Sequence, residues 1–370
     1  MNIRRTLALS IALTALSLPA RADELDGDVL YRMVDVSGQA VMTLDGRIYE
    51  GDEYISSDNQ LYVVISVDDR AQQAVAMPMG AEPAYDAEKA RAVFASADKR
   101  QEADGDGKKL VAFYSTHSDE SYEKGDGAAS LTQNAGIYDV DRALKKALEA
   151  KGVTVKLDTT THLPHDTKAY SRSRRTAEEL LKLAPDALLD IHRDGIPDES
   201  EYETEVDGEE TSKVRLLVGR SNPNADANRE FAKQIKSVAD EKYDGLIKDI
   251  FIGKGNYNQE LYPRSILLEF GTHTLDKELA VDATGYMADV LATVLYGDSA
   301  SAEGAAKSAK GAGSGIFWAI FIIVLAGLAY VLLSTGTLQN LGSKISHGAS
   351  ELTGGLIGKH NKDDSETKSK

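Results

Sequence analysis

Cysteine is absent from all 370 residues. That excludes disulfides and thiolate metal sites, so the folded parts are held by apolar cores, which a chain of this length can build. Positive charge is also scarce: 42 Lys and Arg face 59 Asp and Glu, a net charge of −17 at pH 7. Surfaces that track a polyanion concentrate Lys and Arg, so no nucleic-acid partner is expected. The acid excess reads instead as a solvated face that keeps the chain soluble. Long apolar runs are confined to the two ends. Arg4-Arg5, an apolar stretch over residues 7–18 and Ala20-Arg21-Ala22 read as a signal peptide over residues 1–22, the stretch being shorter than the roughly 20 residues of a membrane span.

The second run, IFWAIFIIVLAGLAYVLLS at residues 316–334, carries no charge and suffices for a single transmembrane helix, with Trp318 and Tyr330 near its ends. Export followed by one stop-transfer span predicts a cell-membrane protein whose preceding domains are extracytoplasmic and whose residues 335–370 form a cytoplasmic tail. Residues 298–315, rich in Ser, Ala, Gly and Lys, form a flexible tether reaching about 20–25 Å.

Residues 23–79 lack helical periodicity. Apolar and polar residues alternate in LYRMVDV, QAVMTL, RIYEGDEYI and LYVVISV, and Gly38, Asp45-Gly46, Gly51-Asp52 and Asp58-Asn59 mark turns between them. The pattern predicts a small all-β domain of five or six strands. Nothing in it has catalytic spacing, so it folds or docks, or binds a protein regulator through an exposed edge strand. Residues 80–108 read as a partly helical linker, with an amphipathic stretch over 85–97.

From residue 109 to 297 the patterns alternate. Strands are expected over 110–114, 153–157, 187–191, 214–218 and 265–270, and helices over 140–151, 171–183, 227–243 and 279–295. Such alternation predicts an α/β catalytic domain, a parallel-containing central sheet flanked by helices. Val140, Leu144 and Leu148 recur at helical spacing before Gly152 and belong to the core.

Three apolar runs stop at residues able to perform metal-assisted hydrolysis. LVAFYSTHSDE delivers His117 and Glu120, DALLDIHRDG delivers His192, and SILLEFG delivers Glu269. Two neutral imidazoles and a carboxylate leave the fourth position of Zn2+ open for water, and a further carboxylate can take that water's proton. Ligands collect at the carboxyl ends of parallel strands, where these residues fall. On spacing alone Asp119 and Glu123 compete with Glu120. Glu269 lies inside an apolar strand, where ionisation is expensive unless it is active-site chemistry or an ion pair to Arg264 or Arg193. His162 and His165 in THLPHD flank Pro164, which disfavours a helical pair and makes them loop or groove-rim residues. Arg193 steadies a substrate carboxylate or forms a structural ion pair.

THSDESY, DIHRDG, VGRSNPN, YNQELYP and LLEFG occur in that order, and over roughly residues 109–295 the chain resembles the stage II sporulation protein P family of peptidoglycan hydrolases. The resemblance implies an amidase-like fold and a zinc-dependent N-acetylmuramoyl-L-alanine amidase, with endopeptidase activity in some members. It selects Glu120 as the third ligand beside His117 and His192, and adds Tyr257, Asn258 and Gln259 to Arg193 as substrate-binding residues. The family pattern places the membrane span at the N-terminus, whereas this chain carries it near the C-terminus. Two rival readings are a non-haem iron enzyme using the same two-His-one-carboxylate set, which the strand–helix alternation disfavours, and a non-catalytic membrane-tethered peptidoglycan-binding protein.

Overall fold

The computed structural model describes residues 29–82, 85 and 109–297. The signal peptide, all but the edges of the linker, the tether, the membrane helix and the tail predicted above lie outside the described residues.

Alternating apolar residues give β1 (Leu30–Asp35), β2 (Ala40–Asp45), β3 (Glu53–Ile55), β4 (Gln60–Asp68) and β5 (Gln73–Ala81). Gly38, Gly51 and Asn59 take positive φ at the turns between them, as their residue types allow. β6 (Leu110–Tyr114), α1 (Ile137–Ala150), β7 (Thr154–Leu157), α2 (Ala169–Leu181) and β8 (Ala187–Asp194) follow. A hairpin of β9 (Glu203–Val206) and β10 (Glu209–Ser212) precedes β11 (Val214–Gly219), α3 (Ala225–Lys242), β12 (Ile247–Gly253), β13 (Ser265–Thr272) and α4 (Lys277–Tyr296).

Eleven strands form one mixed sheet in the order β2-β1-β5-β4-β3-β12-β11-β13-β8-β6-β7. β7, β6, β8 and β13 run parallel to their neighbours, while β13 and β11 are antiparallel. Period-two patterning then sorts side chains to two faces. Val111 and Phe113 join the larger core with Val140 and Leu144 of α1, Phe231 of α3 and Met287 of α4. Ala112 and Tyr114 point the other way and pack with Ala177 and Leu180 of α2. α4 is long and apolar enough to cross a membrane, but Ala280, Met287 and Leu291 are buried in this core.

The small all-β domain expected over residues 23–79 is not a separate unit. β3 pairs antiparallel with β12, placing Ile55 opposite Ile250 and Tyr54 opposite Phe251, so the five N-terminal strands extend the central sheet. The reason is burial. Met33, Leu44, Ile48 and Val64 need an apolar partner, and they share a core with Leu217, Phe251 and Leu267 of the central strands.

Two elements went unread in the sequence: the β9–β10 hairpin and β12. In β12, Lys248 and Asp249 interrupt the apolar run, yet both are buried. Asp249 sits opposite Arg215 of β11, whose Nε donates to it at 2.8 Å, so charge complementarity across the sheet replaces the missing hydrophobicity.

Candidate active site

The three residue-bearing strands β6, β8 and β13 are adjacent in the sheet. Glu269 and His192 are register partners, and Tyr114, three residues before His117, is opposite Asp190. His117, Glu120, His192 and Glu269 consequently line one groove. Glu120 reaches it through a tight turn in which its N–H donates to the His117 carbonyl at 3.1 Å.

His117, Glu120 and His192 are 3–4% exposed, so their donor atoms are largely desolvated. Glu120 Oε1 lies 3.2 Å from His192 Nδ1, and its Oε2 accepts from the Arg193 N–H at 2.9 Å. His192 Nε2 lies 3.0 Å from Asp190 Oδ1, and Asp190 is held by the N–H and hydroxyl of Thr116. Burial lowers the His192 imidazole, but the Asp190 and Glu120 carboxylates outweigh it and raise it well above the ordinary histidine range. Burial raises Glu120; His192 and then Arg193 and His117 overcome that and hold its carboxyl down at about 2.

These observations fit a divalent-metal site. One nitrogen of His192 is oriented by a buried carboxylate, as metal-bound histidines usually are, which leaves the other facing Glu120. The rings of His117 and His192 have centroids 5.1 Å apart and planes inclined at 77°, so in-plane lone pairs can converge. A second grouping, His117, Asp119 and His165, brings its donor atoms within 4.8 Å of one another. Its two rings stack at 3.8 Å and 14°.

Residues 40–292 match the Stage II sporulation protein P family. The chain belongs to that family. Stage II sporulation protein P of Bacillus subtilis (strain 168) is 28% identical over 235 residues, covering 58% of this chain and 58% of that protein's length. Among solved structures, N-acetylmuramoyl-L-alanine amidase AmiC2 of Nostoc punctiforme aligns over 52% of this chain and 97% of its own, at 15% identity and a TM-score of 0.33. N-acetylmuramoyl-L-alanine amidase from Clostridium difficile 630 aligns over 52% and 96%, at 15% identity and a TM-score of 0.34. Scores this low carry no weight for the site.

In this member of the sporulation protein P family, Glu269 is held by a buried polar network that the sequence did not reveal. Its ion-pair neighbour is neither Arg264 nor Arg193 but Arg215, 3.6 Å away and fully buried. Arg215 also donates to Asp194 at 2.7 Å and to Asp249. Tyr202 Oη lies 2.8 Å from Asp194 and 3.1 Å from Glu269. One hydroxyl proton cannot serve both carboxylates, so with Tyr202 donating to Asp194 the second contact forms when Glu269 is protonated. Burial, reinforced by Asp194 and only partly offset by Arg215, raises Glu269 to about 8.

Of the expected substrate-binding residues, Tyr257 lines the groove, packing edge-on against Tyr170. Arg193 borders it, but its guanidinium donates to the carbonyls of Ser121, Ala129 and Asp194, a structural use that fixes the Glu120 loop. Asn258 and Gln259 are buried. Asn258 donates to Tyr170 O and Ser173 Oγ, and Gln259 bridges the N–H of Gly219 and the carbonyl of Leu217, so both brace loops rather than face a ligand. His162 is likewise a core residue, bonded to Ser115 O and Thr176 Oγ1 at 2.9 Å, whereas His165 lies on the groove rim as expected.

Asp141 of α1 lies fully buried beneath the site and accepts a hydrogen bond from Ser115 Oγ at 3.0 Å. Burial pushes its carboxyl up to about 8, against the Ser115 bond and with the help of Asp190. A raised folded value means that this group's stabilising contribution is complete below the unfolded value of 3.8 and is lost as pH rises towards about 8. Asp141→Asn keeps the neutral shape and should flatten that decline, by at most about 1.4 kcal/mol per pH unit. Thermal scans from pH 4 to 9 check this; parallel profiles for the two proteins would contradict it.

Proposed function

We propose that this chain is a zinc-dependent peptidoglycan hydrolase that cleaves the amide between N-acetylmuramic acid and L-alanine, acting in sporulation-type wall degradation. The observation that carries the reading is the placement of Glu269, a half-buried carboxyl on the strand next to His192, in the same groove as a two-imidazole, one-carboxylate donor set. Membership of the sporulation protein P family supports the substrate class.

His117, Glu120 and His192 would hold the ion. When bound, it supplies Lewis acidity to the scissile carbonyl and makes a neighbouring water more acidic. Glu269 accepts the proton of the attacking water on its carboxylate. It then delivers that proton to the departing amine, which cannot leave as an anion. A raised carboxyl holds a proton more strongly than an exposed one, which suits the second half of this task, and the positive charge of the ion would favour the ionised form that the first half needs. Asp190 orients His192, and Tyr202 and Arg215 position Glu269. The reading includes a C-terminal membrane helix at residues 316–334 that keeps catalysis against the inner side of the wall, with residues 298–315 as its tether. Docking of a protein regulator would use β2, the outermost strand on that side of the sheet.

Digestion of purified sacculi followed by mass spectrometry tests the proposal. A free lactyl group on the glycan and an intact peptide with a new N-terminal alanine are expected, with activity removed by chelation and restored by zinc. His192→Ala should lose both the metal and the activity. Cut cross-bridges with intact lactyl amides would identify an endopeptidase instead, and binding without any solubilised product would favour the non-catalytic reading.

A further inference from the structure

The connection between β2 and β3 does more than close a turn. Asp45, Gly46, Arg47 and Tyr49 line the catalytic groove together with Lys254 and Tyr257 of the β12–β13 connection. This wall is fixed in place. A Cβ on Gly195, just past β8, would fall 1.6 Å from Asp45 Oδ2, so the turn is seated directly on the end of a catalytic strand. Arg220, just past β11, donates to Asp52 at 2.8 Å and to the Glu50 carbonyl at 2.9 Å, tying down the far side of the same connection.

Charge is distributed unevenly along the groove. Its centre carries Glu120, Asp194 and Glu269 with Arg193, whereas its N-terminal rim holds, beside Asp45, two cations about one aromatic ring. Lys254 Nζ lies 4.3 Å from the centroid of the Tyr49 ring, and Arg47 Cζ lies 4.9 Å from it. Arg47 is paired with Asp69. Lys254 is exposed and, among the described residues, has no carboxylate within ion-pair distance. The same three side chains line a second depression that continues outward from the groove. In a chain of net charge −17, an unneutralised cation beside an aromatic platform at the mouth of an acidic groove is a local reversal of the surface field.

We infer that Arg47, Tyr49 and Lys254 form a subsite for a carboxylate-bearing peptide, whose acid group sits on Lys254 beside the cation-flanked Tyr49 ring. The inference rests on the groove being the catalytic one, and it narrows the substrate to an amide flanked by an acidic peptide arm. The physical logic is orientation. The cationic rim attracts a peptide carboxylate, so the peptide side of the amide is drawn to the N-terminal strands.

The test is binding of a soluble tetrapeptide with two free carboxylates, and of its fully amidated counterpart, to the full chain by calorimetry, with and without zinc. The acidic peptide should bind the wild type about tenfold more tightly than the amidated one, and Lys254→Gln should erase most of that difference. Raising the salt concentration should weaken only the acidic peptide. Lys254→Arg should restore binding, and circular dichroism should report unchanged folding because the position is exposed. Equal affinity of the two peptides for the wild type, or undiminished acidic-peptide binding by Lys254→Gln, would overturn the subsite. Because this readout needs no turnover, a protein that binds the acidic peptide selectively yet releases nothing from sacculi would fail the hydrolase reading and keep the subsite; release without selectivity would do the reverse.

Discussion

Glu269→Gln should leave the protein folded and its metal bound while lowering turnover by roughly two to four orders of magnitude, the range for loss of a positioned acid–base group. The substitution is nearly isosteric with the protonated carboxyl, and the site favours that neutral form, since burial and Asp194 raise Glu269 to about 8. Tyr202 Oη, already donating to Asp194, can accept from the new amide. What disappears is the ability to take a proton from water and return it to the amine. Rates of muropeptide release together with zinc content by mass spectrometry check this. Full activity in the variant would remove Glu269 from the chemistry, and loss of zinc would make it a ligand.

Removing the cation at the centre of the network has the largest expected effect on stability. Arg215→Ala leaves Asp249 fully buried and Asp194 2% exposed without their guanidinium, and leaves Glu269 without its nearest positive charge. Asp249 keeps Lys248 at 3.3 Å, but Asp194 loses its ion-pair partner, and breaking a buried pair in this way costs about 3–5 kcal/mol because an uncompensated charge stays behind. Arg215→Lys should recover only part of it, since one ammonium cannot reproduce the fork that bonds Asp249 through both Nε and Nη2 while Nη1 bonds Asp194. Urea unfolding of the three proteins measures this. A loss below about 1 kcal/mol, the scale of an exposed pair, would mean that the network contributes little.

His117, His192 and Glu269 were legible because each lies in or just past an apolar strand, where a charged or titratable group needs a reason to be present; Glu120 was separated from Asp119 and Glu123 only by the family resemblance. Arg215 and Asp249 sit in strands too, but they lie far apart in sequence and only the pairing of β11 with β12 makes each the other's reason. Asp249 therefore breaks the apolar pattern of β12 in the sequence, and the pairing restores it in the fold. Asn258 and Gln259 invited the opposite error. Their hydrogen-bonding groups suit a ligand as well as a backbone, and only the loop packing shows that Tyr170, Ser173, Leu217 and Gly219 have already taken them.

By itself the sequence determined most of the alternation of strands and helices, the β character of the N-terminal segment and the strand-end residues His117, His192 and Glu269, because period and local polarity are properties of short segments. Tertiary structure alone decided that those strands join the central sheet and wall the groove, that Arg193 is consumed by its own loop, and that Arg215 stands behind Glu269. Each of these depends on which distant groups share a desolvated space, and in such a space a charge or an apolar face is stable only beside a partner that no local pattern names.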